Sequence, residues 1–202
     1  MEFADQFKRC IDSHEMIVIR DDGVNRHIRF KRPGTMCMHF DLLTWPGYLC
    51  YTGDMGTYVF RRMEDMFQFF RRPANNPQYR IDLRYWAEKV EASDKGDGIE
   101  KFSGTAFKAN VRDFFDQATE DDDDWTDARK AALWDRIESD VLCGVYDDDD
   151  GEHRALAALR DFEHDGFTFM DWEGICNEYS HRFLWCCHAL EWAIATYDGD
   201  MK

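Results

Sequence analysis

The chain has 202 residues, of which 44% are hydrophobic and 15% aromatic, and its formal net charge at pH 7 is −16. Acidic disordered proteins lack aromatic residues, so this composition excludes them and indicates a folded chain long enough to bury a substantial core. The charge disfavours binding to DNA, RNA or anionic membranes and favours basic protein surfaces. No apolar run approaches the roughly 20 residues that span a bilayer.

The first half is predicted to begin with a short helix and to continue as an antiparallel sheet. Phe3, Phe7 and Ile11 recur every four residues, which is typical of one apolar helix face. The segments 16–20 and 27–33 flank DDGVN, whose Gly and Asn suit a hairpin turn. Turns at WPG and GDMG separate three further segments, so we expect four or five strands. These segments are TMCMHFDLLTW, YLCYTG and TYVFRR.

Helical periodicity predominates after residue 63. Pro73 stops the first of these helices, and Thr126 or Asp124 is the expected N-cap of the fourth. The fold class is therefore α+β, with an N-terminal antiparallel sheet packed on a C-terminal helical assembly. We expect a single domain, β-rich over about 1–72 and acidic and helical over about 79–202. The predicted helices are MEDMFQFFRR, IDLRYWAEKVEA, KFSGTAFKANVRDFFDQAT, DWTDARKAALWDRIESDVL, EHRALAALRDFEH and a long segment from about Asp171 to Tyr197.

Two runs of four aspartates dominate the charge of the second half. Up to Arg84 the chain has 13 Lys/Arg against 11 Asp/Glu, whereas from Tyr85 onwards it has 12 against 30. Salt adaptation is disfavoured because the first half is near neutral. Helix capping explains one or two aspartates in each run, but not four.

Carboxylates on one helix face can approach the charge density of DNA, about one charge per 1.7 Å. We therefore predict a surface that mimics nucleic acid, provided that the carboxylates share a face. The predicted partner-binding residues are Glu120, Asp121, Asp122, Asp123, Asp124, Asp127, Asp147, Asp148, Asp149, Asp150 and Glu152.

Calcium and metal binding have less support. Placing Gly151 at the sixth position of an EF-hand loop puts Tyr146 and Ala157 where the first and last ligands are needed. The last predicted helix carries Glu178 with His181, and His188 with Glu191, at the spacing that puts two side chains on one helix face. Ordinary ion pairs and core histidines account for these pairs, so we expect no metal or cofactor, although binding at His181 and His188 stays open.

The seven cysteines are odd in number and irregularly spaced, which favours free, buried thiols in a reducing compartment. No nucleophile signature surrounds Cys50 or Cys176, so no catalytic residue is predicted. The turn GDMG lacks the spacing of a dinucleotide-binding loop.

Three basic doublets lie among aromatic residues in the first half: Lys31 with Arg32, Arg61 with Arg62, and Arg71 with Arg72. Basic residues interleaved with aromatics can bind nucleotides or single strands. The net charge favours another role for these arginines, in which they pair with the acidic half or lie in a homodimer contact.

Two blocks of the sequence have an unusual order of aromatic, glycine and cysteine residues. They are TWPGYLCYTGDMGTYVFRRMEDMFQFFR and NEYSHRFLWCCHALEWAIATYD. In these blocks, and over most of its length, the chain resembles a family of uncharacterised proteins encoded by tailed phages and prophages. The resemblance implies an accessory protein in the host bacterial cytoplasm during infection, and it transfers no catalytic residue.

The leading hypothesis is a non-enzymatic phage inhibitor of a host nucleic-acid-targeting defence, either anti-CRISPR or antirestriction. Its expected partner is a host defence protein complex with a basic nucleic-acid groove, which the carboxylates would occupy in place of nucleic acid. We expect no direct nucleic-acid or membrane contact, and homodimerisation stays open. The alternative is a nucleotide- or nucleic-acid-processing enzyme, or a ligand-binding protein, that uses the basic doublets and the carboxylate–histidine pairs.

Overall fold

The computed structural model describes residues 3–73, 80–120, 124–147 and 150–199, and the fold is α+β. Within these ranges the helices are α1 Phe3–Ile11, α2 Met66–Phe70, α3 Leu83–Ala87, α4 Gly104–Glu120, α5 Asp127–Ile137, α6 Gly151–Asp161 and α7 His181–Asp198. A π-helical segment, Glu138–Leu142, follows α5 directly. The strands are β1 Glu15–Asp22, β2 Asn25–Lys31, β3 Phe40–Trp45, β4 Tyr48–Gly53, β5 Gly56–Arg61, β6 Val90–Ser93, β7 Glu100–Phe102, β8 Glu163–His164, β9 Phe167–Thr168 and β10 Asn177–Tyr179.

The chain divides into two structural units. Unit 1 contains residues 1–99 and 179–202, and unit 2 contains residues 100–178. Each unit has its own cluster of buried apolar side chains. Helix α7 therefore belongs with the N-terminal sheet, although it lies at the other end of the chain.

The sheet of unit 1 is an antiparallel meander of six strands in the order β1-β2-β3-β4-β5-β6. Alternation of side chains along the strands puts one apolar row on the inner face. In this row Leu42 lies opposite Tyr51, which lies opposite Tyr58, and all three are almost fully buried. Ile28 and Phe30 extend the same face on β2, as their alternation with basic residues predicts.

Helix α7 fills the core on the inner face of this sheet. Its Trp192 contacts Phe30 edge to face, with ring centroids 5.3 Å apart, and its Phe183 contacts Tyr58 at 5.6 Å. Ser180 caps the N-terminus: its hydroxyl oxygen accepts a hydrogen bond from the backbone N–H of Phe183 at 3.1 Å. A helix buried on most sides is expected to be apolar on most sides, as the sequence of α7 is.

Unit 2 is built mainly from α4, α5 and α6 around an aromatic core. Phe107 and Phe115 are the buried aromatic residues of α4, and Ile137 of α5 is also fully buried. The short β8–β9 hairpin contributes Phe167, whose ring lies 5.2 Å from that of Phe169 in an edge-to-face arrangement.

The structure corrects several predicted element boundaries, and those of β6, α7 and α2 are the main ones in unit 1. The sheet has six strands, because the C-terminal end of the predicted helix IDLRYWAEKVEA is strand β6, which pairs Val90 with Phe60 of β5. Helix α7 begins at His181, so Trp172 and Glu178 lie outside it. Helix α2 begins at Met66, where the Asp65 side chain accepts a hydrogen bond from the backbone N–H of Phe67. Among the described helices, none is both long enough and apolar enough to cross a membrane.

Candidate functional site

The net charge of the chain lies almost entirely in unit 2. Residues 100–178 contain 23 Asp/Glu and 8 Lys/Arg, a net charge of −15, whereas unit 1 contains 18 and 17, a net charge of −1. The second half of the sequence has a net charge of −18 over 118 residues, whereas unit 2 has −15 over only 79 residues, because the near-neutral α7 belongs to unit 1. Unit 2 is therefore the strongly anionic part of the molecule.

The first predicted acidic run lies where α4 ends and α5 begins, and Asp121 to Asp123 fall outside the described residues. Glu120 is the last residue of α4, and Asp127 lies in the first turn of α5. Thr126 is the N-cap of α5, as one of the two predicted alternatives stated. The positive end of the α5 dipole stabilises Asp127, whereas Glu120 lies at the negative end of the α4 dipole.

One arginine lies beside this group, but its charge is paired with Asp165, outside the run. The Arg129 guanidinium donates to Asp165 at 2.6 and 2.9 Å and to the carbonyl oxygen of Asp124 at 2.5 Å. It also lies 4.6 Å from the centre of the Trp125 ring. The described carboxylates of the first run are therefore exposed beside a fixed cation.

The second run precedes α6, and Asp148 and Asp149 fall outside the described residues. Asp147 accepts a hydrogen bond from the backbone N–H of Gly104, the first residue of α4, at 2.6 Å. Asp150 directly precedes α6, and Glu152 lies in its first turn. This part of the run therefore lies beside the N-termini of two helices.

These contacts place the two described groups of carboxylates at opposite ends of α4. Glu120 is at its C-terminus, and Asp147 is bound at its N-terminus. The 16 residue steps from Gly104 to Glu120 span about 24 Å at about 1.5 Å per residue. The described members of the predicted partner-binding set thus form two separate groups rather than one cluster.

A groove lies between α4 and α5 and has a volume of about 570 Å³. On its wall, the Arg112 guanidinium stacks 4.3 Å from the centre of the Trp134 ring and donates to Asp116 at 3.0 Å. Glu120 and Lys130 also line it. Because Arg112 is already paired and stacked, this α4–α5 groove offers little uncompensated charge.

Unit 1 contains a second concavity, of about 660 Å³, which we call the α1–α7 cavity. Three cationic side chains line it, namely Lys8, Arg72 and Arg80, together with His188 and Glu191 of α7. Its other lining residues are Ala4, Phe7, Ile81, Leu83, Trp192 and Ala195. The cavity thus brings together His188 and Glu191, one of the predicted carboxylate–histidine pairs, and Arg72, a member of a predicted basic doublet.

The remaining candidate residues are dispersed. Arg71 forms two hydrogen bonds with Asp198, at 2.6 and 2.7 Å, and Arg61 lies 5.3 Å from the centre of the Tyr48 ring. Glu178 and His181 do not form a pair on one helix, because Glu178 belongs to β10. Over the described ranges, no three His, Cys, Asp or Glu side chains are grouped as metal ligands.

The histidine of the α1–α7 cavity packs against aromatic rings. His188 stacks on Phe3 of α1 with ring centroids 5.3 Å apart, and the Phe7 ring lies 5.7 Å from it. Burial lowers the pKa of His188, and the positive charge of Lys8 lowers it further. The neutral imidazole is therefore the predominant form at neutral pH.

The cysteine thiols considered as nucleophiles are poorly activated. Burial raises the pKa of Cys50 and of Cys176, and raises the pKa of Cys186 and Cys187 well above the ordinary value. Since the thiolate is the reactive form, these protonated thiols are poor nucleophiles at neutral pH.

Comparison of the chain with protein-family models, with curated proteins and with solved structures found no match.

Proposed function

We propose that the protein is a non-enzymatic inhibitor, encoded by a phage, of a host defence that targets nucleic acid, either a CRISPR complex or a restriction enzyme. The observation that supports this is the separation of charge between the units. Unit 2 has a net charge of −15 and its own apolar core, while unit 1 is close to neutral. An anionic folded unit is complementary to the basic grooves that hold DNA or RNA.

The dimensions of unit 2 suit this role. The two groups of carboxylates at the ends of α4 are separated by about 24 Å, close to the length of 7 base pairs at about 3.4 Å each. Exposed Asp135 and Glu138 add charge toward the C-terminal end of α5 and in the π-helical segment that follows it, where Asp140 is paired with Arg136 at 2.7 Å. Two groups at this spacing can contact separate parts of one basic channel.

The negative charge of such an inhibitor chiefly raises its rate of association with the target. Complementary charges steer the encounter and raise the association rate constant well above that of neutral partners. The effect weakens as salt shortens the range of the field. We expect the association rate constant for the target complex to fall steeply with ionic strength, whereas the dissociation rate constant changes less.

The proposal is tested in bacteria that carry an active CRISPR or restriction system and are challenged with a phage which that system targets. Expression of the protein should restore plaque formation by the targeted phage. Replacement of Asp121 to Asp124 and of Asp147 to Asp150 by Asn should abolish the protection and leave the thermal unfolding of unit 1 unchanged.

A matched control tests whether the effect depends on which unit loses the carboxylates or only on how many carboxylates are removed. The first-run variant, with Asp121 to Asp124 replaced by Asn, removes four carboxylates from unit 2. The control removes four exposed carboxylates from unit 1, through Asp5→Asn, Asp12→Asn, Asp22→Asn and Glu64→Gln. Equal protection by both variants, or full protection by the variant that lacks both runs, would overturn the proposal.

A further inference from the structure

Strand β1 lies at one edge of the six-stranded sheet and is the longest strand in it, with eight residues. Within the described residues only β2 pairs with it, so the backbone groups along its other edge have no strand partner. The opposite edge of the sheet, β6, has four residues and carries Glu91. Short, charged edges resist pairing with another chain, whereas long unpaired edges favour it.

The middle of β1 is apolar and exposed. Met16, Ile17, Val18 and Ile19 follow one another, and their exposed fractions lie between 37% and 49%. None of the four belongs to the buried core of unit 1. Successive side chains of a strand point to opposite faces, so β1 exposes apolar groups on both faces of the sheet. Another strand at this edge would cover apolar surface on each face.

The pairing of β1 with β2 shows which side chains share a face. Met16 and Val18 lie opposite Phe30 and Ile28, on the inner face of the sheet, and Ile17 lies opposite Arg29, on the outer face.

Beyond Val18 the pairing is irregular. Ile19 is an extra residue, and Arg20 lies opposite His27, on the outer face. Because one residue is inserted, the alternation of faces shifts by one position after it. Arg20 therefore shares the outer face with Ile17 and Glu15.

These faces determine how a second copy of β1 can pair with the first. Residues directly opposite each other in an antiparallel pair lie on the same face. A two-fold axis through Ile17, perpendicular to the sheet, puts Ile17 opposite its own copy and Met16 opposite Val18. The inserted residue then brings Arg20 opposite Glu15 of the second copy. The paired segment is thus apolar in the middle and has opposite charges facing each other at both ends.

Both charged groups can take part in this pairing. Within the described residues Glu15 forms no ion pair, although Lys31 of β2 lies opposite it. Arg20 is bound to Asp22 at 3.2 Å, and both side chains are largely exposed. Exposed ion pairs of this kind contribute little to stability. A guanidinium also has more N–H donors than one carboxylate can use, so Arg20 can bind Glu15 of a second copy and keep its contact with Asp22.

We propose that β1 is a homodimer contact, in which the β1 strands of two copies pair antiparallel about Ile17 and join their sheets. The contact is isologous, as expected of a two-fold dimer. It involves about six residues of each copy, against about 20–30 in a standard interface, so the dimer is weak, with a Kd of about 10–500 μM. This contact belongs to unit 1 and does not depend on the function proposed for unit 2.

The test is sedimentation equilibrium of the full chain at protein concentrations from about 5 μM to about 1 mM, which bracket the expected Kd. Salt at about 0.15 M, where the Debye length is about 8 Å, limits repulsion between two chains of net charge −16. The weight-average mass should rise from that of one chain toward that of two. The mass of a single chain at all concentrations, or continued growth beyond two chains, would overturn the proposal.

A lysine on the two-fold axis tests the location of the contact. Ile17→Lys puts two like charges opposite each other and should raise the Kd by at least about tenfold. Met63→Lys is the matched control, because Met63 is an exposed apolar residue of unit 1 outside β1, and it should leave the Kd unchanged. Equal effects of the two variants would contradict the assignment to β1.

Exchange of the terminal charges tests the register. Glu15→Arg and Arg20→Glu each put like charges opposite each other at both ends of the pair, so each variant alone should dimerise about threefold or more weakly. An equimolar mixture of the two variants restores opposite charges at both ends of a mixed dimer. The mixture should therefore associate more tightly than either variant alone. Association of the mixture no stronger than that of the separate variants would overturn the proposed pairing.

Discussion

Asp41 is a carboxylate on the sheet of unit 1 that is only 7% exposed. It accepts hydrogen bonds from Arg29 at 2.8 and 2.9 Å, and His27 Nε2 lies 2.7 Å away. Burial by itself would raise the pKa of this carboxyl. The hydrogen bonds of Arg29 and His27 outweigh burial and hold the pKa below its ordinary value of 3.8.

Replacing Asp41 by Asn should therefore destabilise the protein in a pH-dependent way. A carboxyl whose pKa is lower in the folded state stabilises the fold above its unfolded pKa, and this contribution is lost as the pH falls through the folded pKa. At pH 7 the variant should lose about 1–3 kcal/mol of unfolding free energy, because Arg29 and His27 lose a charged partner. Below about pH 3.8 the difference should shrink.

Urea unfolding between pH 7 and pH 3 measures this difference. Asp12→Asn is the matched control, since Asp12 is exposed in the turn after α1, and its effect should stay within about 0.5 kcal/mol. A pH-independent loss in the Asp41 variant would mean that packing rather than charge is responsible.

Among the elements, β1 and β2 are neighbours with opposite environments. All eight residues of β1 are exposed, including Ile19 at 49%, whereas Ile28 of β2 is fully buried. The edge position of β1 and the irregular pairing between Val18 and Arg20 account for this difference. An isoleucine is therefore expected to contribute more to the free energy of unfolding on β2 than on β1.

The same substitution on both strands tests this contrast. Ile28→Ala should cost about 2–5 kcal/mol, because it leaves a cavity in the core. Ile19→Ala should cost about 0.5 kcal/mol or less, because the side chain is already half in solvent. Urea unfolding with unchanged m-values measures both, and similar losses would mean that β1 is packed more tightly than its exposure indicates.

Local pattern predicted the elements that depend on local interactions. The hairpin at DDGVN, the turns at WPG and GDMG, and the Thr126 cap follow from turn and cap chemistry and are confirmed. Strand β6 was assigned to a helix because its identity depends on pairing with β5, more than 25 residues earlier in the chain. Apolar residues near Trp172 extended the predicted α7, since periodicity does not reveal that they pack in the core of unit 2.

For the candidate sites, the sequence supplied residue chemistry but not distance. The acidic runs were evident, yet their placement at the two ends of α4 depends on the contact between Asp147 and Gly104. The sequence pattern does not predict Lys8 as a residue of the α1–α7 cavity, because an amphipathic segment does not show which other helix it will pack against. His188 and Arg72 were noted for separate reasons, and only folding brings them to one cavity.

At the scale of the whole molecule, two units with separate cores differ in charge by 14 elementary charges, −15 against −1. Repulsion among carboxylates destabilises a compact state, and salt relieves it. Within the part of the chain that the structure describes, unit 2 also has the smaller group of buried apolar residues, 13 against 22. Its stability should therefore be lower and more sensitive to ionic strength than that of unit 1.

Hydrogen exchange of the full chain measures the salt dependence of stability in each unit separately. Raising the ionic strength from about 0.01 M to about 1 M shortens the Debye length from about 30 Å to about 3 Å. Peptides from α4, α5 and α6 should then exchange more slowly, while those from β2 to β5 and α7 should change little. The variant with Asn at Asp121 to Asp124 should show a smaller response to salt, because four of the repelling charges are gone. An equal response in both units would mean that salt acts on burial in general rather than on the charge of unit 2.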